Sequence, residues 1–128
     1  MSQTIAVQHE SMSQFCQHNN ALRLGGFSLQ QISTLLDKDV FYAYDKAVIK
    51  QQVQRFRAAV PPRIKLHYAI KANPYWPVVQ YLRPLVDGFD VASQKEMLLA
   101  LQTGMAVQDI SFAGPGKTDA ELSAAICA

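Results

Sequence analysis

The chain has 128 residues, of which 49% are apolar, 17% are charged and 9% are aromatic. This balance is typical of a folded domain and excludes a disordered tail, a collagen-like repeat or a disulfide scaffold. The net charge is only +2 and the basic residues are scattered, so the sequence predicts no nucleic-acid-binding surface.

Neither the cysteines nor the apolar segments indicate a metal site, a disulfide framework or a membrane anchor. Cys16 and Cys127 stand at opposite ends of the chain, without the paired spacing of a metal-binding motif. The first 26 residues contain no signal-peptide core, and no segment approaches the ~20 apolar residues of a membrane span. We therefore expect a cytoplasmic protein with reduced thiols.

The first part of the chain shows no sustained periodicity. We expect residues 1–24 to form a loose leader within an N-terminal extension of residues 1–36. Residues 27–36 indicate a short strand or turn that leads into a short helix, and residues 41–44 form a β-prone run. A regular pattern follows from there.

Capping residues predict where the helices of this regular part begin and end. They predict four helix starts, at Asp45, Asn73, Ser93 and Thr118. Glu96 and Glu121 each follow a hydroxyl-bearing cap by three residues, which is the spacing of a capping box. Pro74 is expected at the first position of the second helix, while Pro84 suggests that this helix ends early. Gly104 is expected to end the third helix.

Three strands alternate with these helices, at residues 65–70, 88–92 and 109–112. Their starts are separated by 88 − 65 = 23 and 109 − 88 = 21 residues, and each gap holds one helix. This alternation predicts parallel strands with right-handed crossovers, as in an α/β (β/α)8 TIM-type barrel. Because three strands do not close a barrel, we expect residues 37–128 to form only its first βα units, in a truncated chain.

Lys71 is the first candidate for chemistry. Strand alternation puts it on the same face as His67 and Ala69, opposite the apolar face that should meet the helices. It would then lie inside the barrel at the carboxyl ends of the strands, where such barrels build active sites. A sheltered lysine there can act as a neutral amine toward an aldehyde, with space left by Ala69. The alternative for Lys71 is a solvated lysine at the end of a strand. The alternative for His67 is a packed or hydrogen-bonded histidine without a chemical role.

Two carboxylates are the next candidates. Asp90 is predicted to face inward from the neighbouring strand, 19 residues after Lys71. It could equally cap the turn that follows. Glu96 has a structural explanation as the capping-box partner of Ser93.

The segment from Ser111 to Thr118 is a near match to a phosphate-binding loop. Gly116-Lys117-Thr118 is present, but serine stands at position 111 where the motif requires its first glycine. Nucleotide hydrolysis is therefore disfavoured.

Three of these segments, taken in order, resemble one family. YAIKANP around Lys71, GFDVAS at 88–93 and FAGPGKT at 112–118 are similar to pyridoxal-phosphate-dependent decarboxylases of the alanine-racemase-like barrel class, which includes ornithine and diaminopimelate decarboxylases. LHYAIKANP, LVDGFDVAS and ISFAGPGKTDAEL are most similar to the branch associated with exosortase gene clusters. The resemblance covers residues 24–127 and about the first third of such an enzyme.

The resemblance implies a pyridoxal 5'-phosphate cofactor held as a Schiff base on Lys71, with Ala69, Asp90 and Glu96 also close to it. It implies a lyase that decarboxylates a small amino-acid or amino-acyl substrate and forms a homodimer when intact, without nucleic-acid or membrane partners. The 128-residue chain by itself is not expected to turn over. Two alternatives stay open: a pyridoxal-phosphate-dependent racemase, and a non-catalytic cofactor-binding or regulatory paralogue.

Overall fold

The computed structural model describes residues 12, 14–19 and 21–128, and these described residues fall into two compact units that divide after Val48. Among the described residues, no helix has the length and apolar character needed to cross a bilayer.

The described part of the first unit is an antiparallel sheet followed by a short helix. It contains strands β1 (Cys16–His18), β2 (Ala21–Leu24) and β3 (Phe27–Ser28) and helix α1 (Leu29–Leu36). The predicted strand-to-helix step at 27–36 is confirmed. The prediction of a loose leader is wrong for β1 and β2, because those strands gain order by pairing with each other, which sequence periodicity does not register. Residues 1–11, 13 and 20 lie outside the described residues.

The β-prone run at 41–44 forms no strand. Tyr42 is 92% exposed, so this segment has neither the ladder nor the burial that would fix a strand. Asp45 does cap the next helix, α2 (Lys46–Ala59), by accepting a hydrogen bond from the Ala47 N–H at 2.8 Å. A further bond from the Gly25 N–H is the main reason why the pKa of Asp45 lies below its ordinary value.

The second unit alternates strands and helices in the predicted order. Its elements are β4 (His67–Ala69), α3 (Trp76–Leu82), β5 (Gly88–Val91), α4 (Gln94–Gln102), β6 (Ile110–Phe112) and α5 (Asp119–Cys127). Short 3₁₀ turns at Ile70–Ala72 and Val107–Asp109 flank β4 and β6. The strands lie in the order β4-β5-β6 and both pairs are parallel, as the spacing predicts.

One helix start differs from the prediction. Asn73 does not cap α3, because its side-chain Oδ1 accepts a hydrogen bond from the Tyr75 N–H at 3.0 Å and closes a turn before the helix. The helix instead begins at Trp76, with Pro77 in its first turn, and it ends at Leu82, before Pro84. Proline is tolerated at Pro77 because the N–H that it lacks would have no partner in the first turn.

The hydrophobic core lies on one side of the parallel sheet, between the strands and the helices. Phe89, Val91, Ile70 and Val79 are its largest fully buried side chains. Tyr68 packs against this core from β4 and meets the Phe89 ring edge-on, with centroids 6.4 Å apart. The apolar strand residues therefore face the helices, as the alternation along the strands predicts.

Candidate active site

The candidate site lies at the carboxyl ends of the three parallel strands. Because β4, β5 and β6 run in the same direction, the residues that follow them emerge at one edge of the sheet. The segment with Lys71 follows β4, and Ser93 follows β5. The fold therefore brings segments that are more than 20 residues apart in sequence to a common edge.

Asp90 lies on the face of the sheet opposite the core. Its neighbours Phe89 and Val91 are fully buried, whereas Asp90 is only half-buried. Asp90 pairs in register with Ala69 on one side and with Ser111 on the other. The inward-facing placement predicted for Ala69 and Asp90 is therefore supported by strand register and burial.

Lys71 lies in the 3₁₀ turn after β4, one residue beyond the point where the strand was expected to end. The Asn73 N–H donates to the Ile70 carbonyl at 3.0 Å and closes this turn, while the Tyr68 hydroxyl donates to the Asn73 carbonyl at 3.3 Å. Ile70 is fully buried and anchors the turn to the core. Lys71 is thus presented from a well-anchored segment.

The sheltered environment expected for Lys71 is not present among the described residues. The residue is exposed, because the three described strands leave their inner face open. The expectation of a sheltered Lys71 depends on a closed barrel. The three strands β4, β5 and β6 do not close over this face by themselves. Lys71 and Asp90 share the carboxyl edge of the sheet without a hydrogen bond or ion pair between them.

Glu96 lies at the start of α4 and stabilises the corner after β5. Its carboxylate accepts a hydrogen bond from the Ala92 N–H at 2.8 Å, while the Ser93 Oγ accepts from the Glu96 N–H at 3.3 Å. Only half of the predicted capping box is therefore formed, because the carboxylate reaches the residue before the cap. Glu96 also borders a cleft of about 480 Å³ together with Pro74 and Leu98, but neither Lys71 nor Asp90 lines that cleft.

The second capping box forms as predicted and supports the same edge. Glu121 accepts hydrogen bonds from the Thr118 N–H at 3.0 Å and from the Gln94 N–H at 3.1 Å. These bonds, the Thr118 one first, lower the pKa of Glu121 from its ordinary value. One carboxylate thus connects the start of α5 to the start of α4.

The near match to a phosphate-binding loop has its lysine engaged within the loop itself. The Lys117 ammonium donates to the Gly114 carbonyl at 2.7 Å and lies 5.2 Å from the centre of the Phe112 ring. Thr118 accepts a hydrogen bond from the Glu121 N–H as a helix cap. Both side chains therefore have structural roles, which agrees with the sequence-based preference against a nucleotide site.

Two features of the open face escaped the sequence analysis. The Ser111 hydroxyl donates to Asp90 Oδ1 at 2.9 Å, a contact that the loop-motif comparison of residues 111–118 does not predict. The His67 ring packs over Gly88, where an added Cβ would lie 2.5 Å from Cε1 of the ring. Strand alternation, extended to β6, would have put Ser111 on the same face as Asp90 and could have found the first of these.

Comparison with known proteins identifies the family. Residues 46–127 match the family model described as "Pyridoxal-dependent decarboxylase, pyridoxal binding domain". A 2-[(L-alanin-3-ylcarbamoyl)methyl]-2-hydroxybutanedioate decarboxylase from Staphylococcus aureus is 36% identical over 85 residues, which are 66% of this chain and 21% of the relative. A diaminopimelate decarboxylase from Aquifex aeolicus is 33% identical over 105 residues, which are 82% of this chain and 24% of the relative.

The fold comparison agrees. The crystal structure of the lysine/ornithine decarboxylase from Vibrio vulnificus, complexed with putrescine, matches with a TM-score of 0.67 and 27% identity, over 82% of this chain and 29% of that chain. The strands and helices of the second unit are thus βα units of a TIM-type barrel. The chain spans about a fifth to a quarter of the length of the two curated relatives. By the match over residues 46–127, the chain belongs to the pyridoxal-dependent decarboxylases and contains part of their pyridoxal binding domain.

Proposed function

We propose that Lys71 holds pyridoxal 5'-phosphate as a Schiff base in a protein that decarboxylates an amino acid or an amino-acyl group. The observation that carries this proposal is that Lys71, in the YAIKANP motif, lies within residues 46–127, which match the pyridoxal binding domain of the pyridoxal-dependent decarboxylases. Its amine is exposed at the carboxyl edge of the parallel sheet, beside the open face that bears Asp90.

The residues at this edge fit an aromatic aldehyde. Lys71 is a primary amine that solvent and a cofactor can reach, and the Ala69 side chain is too small to fill the space beside it. Asp90 offers a carboxylate on the adjacent strand, at the position paired with Ala69. The anchored turn around Ile70 keeps the lysine backbone fixed, which favours one orientation of the linkage.

Each of these residues has a chemical task. Lys71 Nζ would hold the cofactor by its aldehyde carbon, since a primary amine is the group that forms a Schiff base with an aldehyde. The Asp90 carboxylate stabilises positive charge that develops near that nitrogen. Glu96 acts through the backbone, by holding the corner at Ala92. Bound pyridoxal phosphate supplies an electron sink for the carbanion that remains when CO₂ departs.

The substrate class follows from the relatives. The two curated relatives are named as decarboxylases, one of diaminopimelate and one of a substrate with an alanine-derived amide. We therefore propose a substrate with an α-amino acid group, either free or part of a larger molecule. The motifs LHYAIKANP and ISFAGPGKTDAEL further support a place in the exosortase-associated branch.

Three further assignments extend the proposal. Residues 37–128 would form the opening of the barrel and residues 1–36 an N-terminal extension. The assembled enzyme would be a homodimer, which light scattering of the protein that carries this chain tests directly. A monomeric active enzyme would contradict that assignment.

Reductive trapping tests the cofactor site. The chain is mixed with pyridoxal phosphate, treated with borohydride and digested, and the labelled lysines are mapped by mass spectrometry. We expect label at Lys71 above every other lysine, and its loss in Lys71→Ala. Lys65→Ala is the matched control, since Lys65 is also exposed and lies before the same strand, with its Nζ 3.8 Å from Asp109. Equal labelling of Lys65 and Lys71 would contradict the assignment.

Product analysis tests the reaction. The protein that carries this chain is incubated with carboxyl-labelled amino acids and pyridoxal phosphate, and CO₂ release is compared with inversion at Cα. CO₂ release that is lost in Lys71→Ala supports the proposal. Inversion without CO₂ would favour the racemase alternative, and trapping at Lys71 without either product would favour the non-catalytic one.

A further inference from the structure

The open face of the sheet carries one side-chain contact between two strands at the level of Asp90. The Ser111 hydroxyl on β6 donates to Asp90 Oδ1 at 2.9 Å, and its distance to the Phe89 carbonyl is longer, at 3.4 Å. A hydroxyl has a single proton, so the shorter contact to the charged acceptor is the favoured one.

This contact restrains the carboxylate from one side only. Ser111 pairs with Asp90 on the β6 side, while Ala69, which precedes Lys71 by two residues, pairs with it on the β4 side. Oδ1 is occupied by Ser111, whereas Oδ2 has no hydrogen-bond partner among the described residues. Ala69 has no polar side-chain atom that could compete for Oδ2. No described protein group therefore holds the second carboxylate oxygen in place.

We propose that Ser111 is a positioning residue that orients the Asp90 carboxylate for the chemistry of Lys71. This inference rests on the proposed function of Lys71. Ser111 itself does not touch the reacting atoms; it removes rotational freedom from the carboxylate and leaves one oxygen for the nitrogen of the lysine linkage. The restraint is supplied by a third strand, so the site is organised by β4, β5 and β6 together.

A purely structural role accounts poorly for this serine. Ser111 is exposed, while its strand neighbours Ile110 and Phe112 pack against the core on the other face. A hydrogen bond on an exposed surface adds little to stability, because water replaces it when it is lost. The orientation of Asp90 is the property that the bond controls.

The test uses five variants of the chain, Asp90→Ala alone among them, and measures the rate at which Lys71 is trapped by pyridoxal phosphate and borohydride. Ser111→Ala should slow trapping by about threefold, the effect expected from losing one modest hydrogen bond. Ser111→Thr, which keeps the hydroxyl, should restore the wild-type rate. In an Asp90→Ala background, the further change Ser111→Ala should have no effect, because Ser111 acts only through Asp90. Ser123→Ala, an exposed serine on α5, is the control and should trap like the wild type.

The outcomes separate this inference from the proposed function. If Lys71 is trapped selectively but Ser111→Ala traps at the wild-type rate, the role of Ser111 is wrong and that of Lys71 stands. An equal loss from Ser111→Ala with and without Asp90 would show that Ser111 acts independently of the carboxylate, and would also overturn the inference. Without selective trapping at Lys71, both proposals fail. Urea unfolding curves are measured for all variants as a control. Curves that match the wild type would show that a change in trapping rate does not come from unfolding.

Discussion

The two faces of strand β5 differ in almost every physical respect. Phe89 and Val91 point into the core and are fully excluded from water, while Asp90 between them lies on the open face with a serine as its partner. A strand alternates its side chains, so one backbone supplies packing on one side and polar groups on the other. The same four residues thus supply buried apolar side chains to the core on one face and a carboxylate with a polar partner on the other.

Truncating the buried face should have the largest effect. Phe89→Ala removes a fully buried ring that contacts Tyr68, and we expect a loss of about 3–5 kcal/mol in the free energy of unfolding. Urea denaturation of Phe89→Ala and of the wild type measures this loss. Tyr42→Ala is the control, since Tyr42 is 92% exposed, and its change should stay within about 0.5 kcal/mol. Similar losses in both variants would show that the core is not where the structure puts it.

Gly88 is the one position of β5 on the open side where added volume should be costly. A Cβ there would clash with the Asp109 carbonyl oxygen and would lie 2.5 Å from the His67 ring. We expect Gly88→Ala to cost about 1–3 kcal/mol in urea denaturation. His67→Ala should not rescue it, because the backbone contact remains. Gly116→Ala, where nothing lies within 4 Å, should be close to neutral.

The opposite, amino-terminal edge of the sheet should make stability depend on pH. Asp87 Oδ2 accepts hydrogen bonds from the Arg57 guanidinium at 2.5 Å and from the Leu66 N–H at 2.6 Å. The Arg57 contact first, and the Leu66 bond next, hold the pKa of Asp87 below its ordinary value. Because the folded pKa is the lower one, this contribution is fully present above about pH 4 and is lost as pH falls through the folded pKa.

Variants of this pair give the measurement. We expect Asp87→Asn to flatten the decline of the urea midpoint below about pH 4. Arg57→Gln should flatten it only in part, because the Leu66 N–H remains bound. Both side chains are 34% exposed, so salt should weaken the effect. An unchanged pH profile in Asp87→Asn would show that the Asp87 carboxylate does not cause the pH dependence of stability.

Changing the open face should have the smallest effect on stability. Lys71 is exposed, and we expect Lys71→Ala to alter the free energy of unfolding by no more than about 0.5 kcal/mol, while it should remove the pyridoxal phosphate label at position 71. Comparing its urea midpoint with that of Phe89→Ala tests the division between the faces directly. A large destabilisation in Lys71→Ala would mean that the lysine supports the fold.

Local sequence patterns predicted much of the second unit. The parallel order of its strands, the caps at Ser93 and Thr118, and the side of the sheet on which Asp90 lies all follow from spacing, alternation and short-range hydrogen bonds. These features depend on neighbouring residues in the chain. The YAIKANP and GFDVAS motifs likewise carried the family, which the match over residues 46–127 bears out.

Tertiary structure decided what depends on contacts between distant segments. Strand pairing ordered residues 16–24, and an Asn73 side-chain bond moved the start of α3 to Trp76. The exposure of Lys71 depends on which strands cover the inner face, and the bond from Ser111 to Asp90 joins residues 21 positions apart. Sequence thus determined which face each strand residue occupies, because alternation is local; the partners and the access of those residues were set by neighbouring strands, which only the folded chain brings together.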